Sequence, residues 1–327
     1  MNDDRKYLIG FDLGGTKMLG CLLTRDFEIV ARNKEKIRDG SNGEEVFDRL
    51  TKCITTLVES FGIKMDEVAG AGVAVPSPID LATGVVLETP NLGFRDFPLK
   101  ARLEESLGIP VILENDVNAG TYGELRRGAA VGYRHVIGLF PGTGIGGGIV
   151  IDGKLYRGAT GGAGEIGHMI IQLDGPLCGA GHYGCLESVA SKTAMAKDAA
   201  MLATTGGAPV MASLAGGDVS KMKSSVFAKS IEGGDTGIAR LLERAAYFLG
   251  IGLANCVNIF NPEAIIVGGG LVERFGDAYL SVAERSMREN AMQSLAKVVK
   301  LLPAKLGDDA VAIGVSSLLA EALANKT

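Results

Sequence analysis

The sequence contains no tryptophan, only three histidines, and no apolar run that approaches the roughly 18 uninterrupted residues of a membrane helix. It also lacks a basic block: 33 lysines and arginines stand against 38 aspartates and glutamates, a net charge of −5. The electrostatic footprint of a nucleic-acid-binding protein is therefore missing. The first six residues are polar, without the apolar run of a signal peptide. These absences predict a cytoplasmic protein with neither nucleic acid nor membrane as a partner.

Cysteine is scarce, and its distribution argues against a disulfide framework. The chain has five cysteines, an odd number, spread over 327 residues. Small disulfide-stapled domains instead carry dense, paired cysteines. The five are Cys21, Cys53, Cys178, Cys185 and Cys256.

Glycine, in contrast, is abundant, at 47 of 327 residues, about twice its usual share. The first glycines follow an alternating apolar segment, residues 7–11, that ends at Asp12. Two further apolar segments come after the turn, so the pattern predicts strand, glycine turn, strand, strand. No helix follows the glycines, whereas a Walker P-loop and a Rossmann fingerprint both need one. An NAD-dependent enzyme is therefore not expected.

The opening pattern recurs 128 residues later. Residues 135–151 again alternate, turn at glycines and continue as an apolar run, and the next pair, Asp152-Gly153, is typical of a hairpin turn. At this offset Gly10 aligns with Gly138. A match at a fixed offset predicts two halves of similar fold, and the chain length also suggests about two domains.

The rest of the chain alternates between helical and strand periodicity, as in an α/β protein. Asp235 precedes a long apolar stripe at helical spacing and is predicted to cap that helix, which Asn261-Pro262 should end. The predicted helices span residues 43–61, 99–107, 118–125, 235–260 and 308–324, and further strands span residues 68–75, 110–113 and 264–267.

The first glycine turn has the chemistry of a phosphate site. Gly14 and Gly15 let backbone N–H groups approach a phosphate. Thr16 adds a hydroxyl donor, and Lys17 adds a positive charge. Asp12, at the end of the strand, is suited to hold a hydrated Mg²⁺. The alternative is an ordinary Gly-Gly hairpin turn, which gives no reason for an aspartate and a lysine at the same turn.

Two more glycine turns extend this hypothesis. The turn that contains Thr143 and Gly144 would form the second half of a nucleotide-binding site, opposite the first glycine turn. Alone, this turn is weak support for a nucleotide site. Gly269 and Gly270 follow a predicted buried strand and would contact the adenosine. A plain tight turn is the alternative for this last segment.

Two polar clusters remain. Asp116, between a predicted strand and a predicted helix, either caps the helix or accepts a hydroxyl proton as the general base of phosphoryl transfer. Spacing alone leaves both roles open. His168, Cys178 and Cys185, with His182 between the two cysteines, have the residue types of a metal site. The alternative is that the two cysteines are thiols buried in the core, with no metal bound.

Four sequence blocks, in this order, resemble the ROK family of sugar kinases and repressors, within the actin/hexokinase-like superfamily. They are Asp-x-Gly-Gly-Thr-Lys at 12–17, Glu-Asn-Asp-x-Asn-Ala at 114–119, Thr-Gly-Ile-Gly-Gly-Gly at 143–148 and Gly-Ala-Gly-Glu-Ile-Gly-His at 162–168. The resemblance implies an α/β fold with two actin/hexokinase-like (ribonuclease H-like) domains and a central cleft. The expected limits are 1–117 plus 308–327 for a small N-terminal domain, and 118–307 for a large C-terminal domain.

The resemblance also implies roles for individual residues. Asp116 becomes the catalytic base and a sugar ligand. ATP and Mg²⁺ are the expected cofactors, and a homodimer is the expected assembly. The other sugar-hydroxyl ligands would be Asn115, Glu165, His168 and Glu187, and ATP would contact Asp12, Gly14, Gly15, Thr16, Lys17, Thr143, Gly144, Gly269 and Gly270.

The sequence departs from the family pattern at two positions. Ala180 replaces the middle cysteine of the family's zinc motif, which leaves His168, Cys178 and Cys185 as three of four ligands. His182, two residues beyond Ala180, is the candidate fourth ligand of a structural Zn²⁺. Ser77 stands where kinases of the family usually have glycine, near the sugar, so specificity or turn geometry is expected to differ.

Within the family, residues 71–76 and 91–99 look most like the bacterial glucokinases. The expected activity is ATP-dependent phosphorylation of a hexose, glucose to glucose 6-phosphate first, as at the start of glycolysis. N-acetylmannosamine and fructose are alternative acceptors, and ADP and polyphosphate are alternative donors. A sugar-responsive repressor would need a DNA-binding domain where only eleven residues precede Asp12. A nucleotide-binding protein without kinase activity would not need Asp116.

Overall fold

The computed structural model describes residues 5–325, apart from Thr16, Arg38, Asp39, Ser41, Ser77 and Pro90. The expectations for Thr16 and Ser77 lie outside the described residues. The strands are β1 (Tyr7–Leu13), β2 (Lys17–Thr24), β3 (Ile29–Lys36), β4 (Val68–Val75), β5 (Ile79–Asp80), β6 (Val85–Thr89), β7 (Phe94–Phe97), β8 (Val111–Asn115), β9 (Val136–Pro141), β10 (Ile145–Ile151), β11 (Lys154–Leu155), β12 (Ala264–Val267) and β13 (Lys300–Pro303). The helices are α1 (Gly43–Ser60), α2 (Leu99–Leu107), α3 (Asp116–Arg127), α4 (Leu186–Ala190), α5 (Lys192–Thr204), α6 (Pro209–Ala215), α7 (Ser224–Glu232), α8 (Thr236–Phe260), α9 (Gly270–Phe275), α10 (Asp277–Asn290), α11 (Gln293–Ala296) and α12 (Ala310–Ala324).

The two larger sheets share one strand order. The first runs β3-β2-β1-β4-β8, and β1 pairs antiparallel with β2 and parallel with β4. The second runs β11-β10-β9-β12-β13, and β9 pairs parallel with β12. A third, smaller sheet has the order β5-β6-β7. The recurrence in the sequence is therefore matched by a recurrence of strand order.

Helices cover both faces of the first sheet, which explains why β4 is buried along its whole length. On one face the core joins Phe11 to Leu50 of α1. On the other face Ala74 packs with Ala119 of α3 and Val315 of α12. Both packings bury apolar side chains that alternate along the strands, and the second fixes α3 against the sheet.

Glycines set the spacing between α3 and α12. A Cβ atom on Gly123 would overlap the carbonyl oxygen of Ala310, and a Cβ on Gly314 would overlap that of Ala119. The two backbones are therefore closer than any other residue would allow at these positions. This contact anchors α3, the helix that begins at Asp116, within its layer.

The described residues fall into two compact units. The first unit combines Met1–Gly132, Gly148–Ala163 and Lys305–Thr327, and the second combines Tyr133–Gly147 and Gly164–Ala304. These limits differ from the expected domain limits. A boundary at residue 117 would divide α3, whereas the structure keeps that helix in the first unit because it packs along α12.

Most predicted elements are present, and the differences lie at their ends. Phe27, Ile29 and Ala31 alternate in the sequence and predict one strand. The third strand nevertheless begins at Ile29, because Phe27 has a φ of 63° and belongs to the preceding turn. Asp235 does precede α8, but its side chain does not cap that helix. Its carboxylate instead accepts hydrogen bonds from the N–H groups of Val210, at 3.2 Å, and Met211, at 2.7 Å. Asp235 therefore stabilises the start of α6.

All five cysteines are buried, and each is a free thiol. In the part of the chain that the structure describes, no helix combines the length and the apolar composition that crossing a bilayer requires.

Candidate functional site

The parallel strands of the first unit bring two acidic segments to one edge of the sheet. Asp12 on β1 pairs in register with Ala74 on β4, and Ala74 pairs with Glu114 on β8. Residues in register share a face of the sheet, and parallel strands end at the same edge. Ala74 is small and fully buried, and on this face it packs with Ala119 of α3. The start of α3 therefore lies near the end of β1.

Asn115 caps α3, and Asp116 is the first residue of the helix. The Asn115 Oδ1 atom accepts hydrogen bonds from the N–H groups of Val117, at 3.0 Å, and Asn118, at 3.1 Å. The Asp116 Oδ1 atom accepts the N–H of Val117 at 2.9 Å. The helix N-terminus favours an ionised carboxylate at this position. Since Asn115 performs the capping, capping does not account for Asp116.

Asp12 and Asp116 influence each other's charge. Burial of the Asp12 carboxyl raises its pKa, and the negative charge of Asp116 raises it further, to about 7, against the lowering effect of Lys17. Burial and a neighbouring negative charge therefore both disfavour the ionised form of Asp12, and a bound cation would offset both effects. Carboxylate oxygens are the donors that Mg²⁺ prefers, so this donor set fits the expected ion.

Lys17 forms an ion pair that the sequence did not reveal. Its Nζ lies 2.8 Å from Asp308 Oδ1, and the Nζ of Lys34 lies 2.9 Å from Asp308 Oδ2. All three side chains are more than two-fifths exposed to solvent. Exposed ion pairs contribute little to stability, so a phosphate group would displace Asp308 from Lys17 at small cost.

Two predicted glycine turns of the second unit meet at one edge of its sheet. The turn at 142–144 follows β9, and the turn at 268–270 follows β12, its parallel neighbour. Gly269 has a φ of +83°, and a Cβ atom there would lie 2.9 Å from the carbonyl oxygen of Pro141. Glycine is therefore required at this position, and the turn at 268–270 packs closely against the end of β9.

Glu187, which the family resemblance assigns to a sugar hydroxyl, contacts the first of these turns. Its Oε2 accepts the N–H of Ile145 at 2.9 Å. A Cβ atom on Gly144 would collide with the same carboxylate. The hydroxyl of Thr193 on α5 also donates to the carbonyl oxygen of Thr143, at 2.7 Å. The turn is thus held from two sides by side chains of its own unit.

A cavity of about 530 Å³ lies beside this turn, within the second unit. Thr143 and Gly144 line it together with Thr193, Lys197 and Arg244. Its size lies in the range of small-molecule sites. The last three residues lie on α5 and α8, where no recognisable motif marks them in the sequence.

The predicted metal ligands converge in the second unit. One ligand atom from each of His168, Cys178 and Cys185 lies within 4.8 Å of the others. Burial acts to raise the pKa of Cys178, but hydrogen bonds from the backbone of His182 and Ala180 and from Cys185 outweigh it and lower the pKa. A thiolate is the form that binds a metal, so the cluster fits three ligands of a zinc site.

His182, the expected fourth ligand, is not in this cluster. Cys178 donates its N–H to the backbone carbonyl of His182 at 2.8 Å, and the His182 side chain is exposed whereas both cysteines are buried. Among the described residues, the cluster therefore offers three ligands. Glu165 lies beside it with a largely exposed side chain, its Oε2 3.8 Å from His168 Nε2.

The repeated strand order and the placement of these turns define an α/β protein with two actin/hexokinase-like (ribonuclease H-like) folds. The sequence profile described as "ROK family" matches residues 8–322. The chain belongs to the ROK family.

Three similar proteins illustrate the range of that family. A glucokinase from Halalkalibacterium halodurans is 34% identical over 316 residues, which cover 95% of this chain and 94% of the relative. A xylose repressor from Bacillus spizizenii is 33% identical, and the match covers 98% of this chain and 78% of the repressor. A solved ROK family glucokinase from Streptomyces griseus, in complex with glucose and AMPPNP, superposes with a TM-score of 0.81 at 33% identity, covering 95% of this chain and 98% of that one.

Proposed function

We propose that the protein is an ATP-dependent hexose kinase, with glucose as the first candidate substrate and glucose 6-phosphate as its product. The observation that carries the proposal is the pair of carboxylates in the first unit. Asp116 is the first residue of α3 but is not its N-cap, and its negative charge helps to raise the pKa of Asp12 near the end of β1. Phosphoryl transfer to a hydroxyl uses one carboxylate that accepts the hydroxyl proton and one that binds the metal ion.

In this mechanism Asp116 accepts the proton of the sugar hydroxyl as the oxygen attacks the γ-phosphorus of ATP. A helix N-terminus favours the ionised form of a carboxylate, which is the form that accepts a proton. Asp12 would hold Mg²⁺, which offsets the charge that develops on the phosphates when it is bound. Lys17 would exchange Asp308 for a phosphate oxygen.

Other residues would bind rather than react. The sugar hydroxyls would donate to Glu165 and Glu187, because charged acceptors make strong hydrogen bonds. Asn115 would contribute its Nδ2 donor, since its Oδ1 already caps α3. His168 would hold a further hydroxyl.

Each unit offers glycine turns as candidate contacts for ATP. The positions are Gly14, Gly15, Thr16 and Lys17 in the first, and Thr143, Gly144, Gly269 and Gly270 in the second. The cavity beside Thr143 and Gly144 supports this assignment, since Lys197 and Arg244 add positive charge to its wall.

A structural zinc ion belongs to the same proposal, with His168, Cys178 and Cys185 as its protein ligands. The lowered pKa of Cys178 supports it. The homodimer and the cytoplasmic location stay predictions.

The match to xylose repressors favours a second candidate function, sugar binding without phosphoryl transfer. Both functions use the residues that bind a sugar, but only the kinase uses Asp116 as a base.

A coupled assay for ADP release, run over glucose, fructose, mannose, N-acetylmannosamine and xylose with ATP and Mg²⁺, tests the proposal. We expect ADP release that depends on a hexose and is strongest with glucose. Repeating the assay with ADP or polyphosphate as donor tests the assignment of ATP. Sugar binding by calorimetry without release of ADP for any sugar would favour the second candidate and refute the kinase.

A further inference from the structure

Glu114, the residue that ends β8 just before the α3 cap, is a buried carboxylate with a cationic partner. Its side chain is 2% exposed, and its Oε2 accepts a hydrogen bond from Arg157 Nε at 2.6 Å. Arg157 lies in the segment that follows β11, 43 residues along the chain and in the same unit. A buried carboxylate is costly unless it is paired, and the contact with Arg157 offsets that cost for Glu114.

The other oxygen of Glu114 holds the first turn of α3. Its Oε1 accepts the backbone N–H of Asn115 at 2.9 Å and the Nδ2 of Asn118 at 3.1 Å. Asn118 is also 2% exposed, and its Oδ1 has no partner among the described residues. Within the described part of the chain, Glu114 is therefore the one hydrogen-bond partner of the Asn118 side chain.

Asp116 lies in sequence between the two residues that the Oε1 of Glu114 contacts. Glu114 fixes the backbone of Asn115 on one side of Asp116 and the side chain of Asn118 on the other. If Arg157 were removed, the buried Glu114 carboxylate would lose its cationic partner and would move toward water. This movement would disturb its hydrogen bonds to Asn115 and Asn118, and with them the direction in which the Asp116 carboxylate points.

We propose that Arg157 is a positioning residue for the phosphoryl-transfer step, acting through Glu114 on the first turn of α3. The inference rests on the proposed function, because it assumes that Asp116 is the base. A misplacement of about 1 Å at a reacting group is able to lower the rate by roughly 10²-fold. The network should therefore affect kcat more than the KM of either substrate.

A cavity next to the ion pair makes this testable by chemical rescue. Its volume is about 280 Å³, and Glu114, Arg157 and Lys100 line it. Truncation of Arg157 to alanine would enlarge this cavity beside the Glu114 carboxylate. Methylguanidinium carries the same planar donor group as arginine, so it should enter the enlarged cavity and pair with Glu114 again.

The experiment compares Arg157→Ala with a matched change at the far end of α3. Arg126 pairs with Glu321 in the last turn of that helix, about 15 Å along the helix axis from Asp116. We expect Arg157→Ala to lower kcat about 10- to 100-fold, to change each KM less, and to regain much of kcat with millimolar methylguanidinium but not with equal sodium chloride. Arg126→Ala should keep kcat within about twofold and show no rescue.

The double variant Arg157→Ala with Glu114→Gln identifies the partner, and rescue should disappear in it. Retention of wild-type kcat by Arg157→Ala would overturn the proposal, as would a loss of kcat that methylguanidinium leaves unchanged. If Arg157→Ala does not fold, Arg157→Lys keeps the charge but not the Nε contact. In that variant, normal kcat would overturn the proposal and a lowered kcat with an unchanged melting temperature would support it. A wild-type protein that phosphorylates no hexose would instead refute the proposed function itself.

Discussion

Replacing Asp116 with asparagine separates catalysis from folding. The amide keeps the size of the side chain and an oxygen that accepts the N–H of Val117, as Asp116 Oδ1 does at 2.9 Å. It removes the negative charge and the ability to take up a proton. The negative charge that raises the pKa of Asp12 is also removed.

The effects of this substitution on the rate and on the stability can both be estimated. Loss of a general base costs about 10²- to 10⁴-fold in rate, and each factor of ten is about 1.4 kcal/mol in the barrier. Loss of a charge at a helix N-terminus costs about 0.3–1 kcal/mol of stability, and relief of the repulsion with Asp12 offsets part of it. Activity should therefore fall at least about 100-fold while the melting temperature changes little.

The assay measures kcat by coupled ADP release, hexose binding by calorimetry, and melting by circular dichroism. Asp277→Asn is a matched control, since Asp277 is the first residue of α10 and so has the same place in its helix. Asp277→Asn should match Asp116→Asn in stability and the wild type in kcat. An Asp116→Asn variant that keeps more than about a tenth of kcat would refute the role of the base.

Three further predictions concern the second unit. Glu165→Gln and Glu187→Gln should raise the KM for the hexose more than the KM for ATP, in steady-state kinetics, because both are assigned to sugar hydroxyls. Cys185→Ser should lose the zinc that metal analysis finds in the parent protein, whereas His182→Ala should keep it, since only the cysteine lies in the ligand cluster. Burial acts to raise the pKa of Asp235, but hydrogen bonds outweigh it and hold the pKa below the ordinary 3.8. The ionised Asp235 side chain therefore contributes to the free energy of unfolding above that pH, and this contribution is lost as the pH falls through the folded-state pKa. In thermal melts, Asp235→Asn should lower the free energy of unfolding by about 1–3 kcal/mol near pH 7, and by progressively less below about pH 4.

Each of these predictions has a contrary result. Equal changes in both KM values would assign the two glutamates to the fold. Loss of zinc in His182→Ala would make that residue a ligand, and a parent protein without zinc would remove the site. A stability difference for Asp235→Asn that is independent of pH would show that its ionised form does not stabilise the start of α6.

Local patterns predicted much of the fold. Alternating apolar residues and the glycines after Asp12 gave the opening strands, and the repeat at a fixed offset agreed with two sheets of one strand order. The ends of elements were harder to predict. Strand β8 and helix α3 meet at Asn115-Asp116, where either residue is a good N-cap by type. Only the hydrogen bonds show that Asn115 has this role.

The parts of the site that the sequence missed depend on long-range pairing. Lys17 meets Asp308 across 291 residues, and Glu114 meets Arg157 across 43. No periodicity connects such positions, because they are set by how the strands and helices pack. His182 shows the converse: its residue type and spacing suited a ligand, but the turn after Cys178 leaves its side chain exposed.

Transfer of labelled phosphate tests the central claim most directly. The protein is incubated with ATP labelled at the γ-phosphate, Mg²⁺ and glucose, and the labelled products are separated and counted. The kinase mechanism predicts that label appears in glucose 6-phosphate in an amount equal to the ADP formed, and that Asp116→Asn removes it. Label found only in inorganic phosphate, or no transfer to any hexose, would contradict the account.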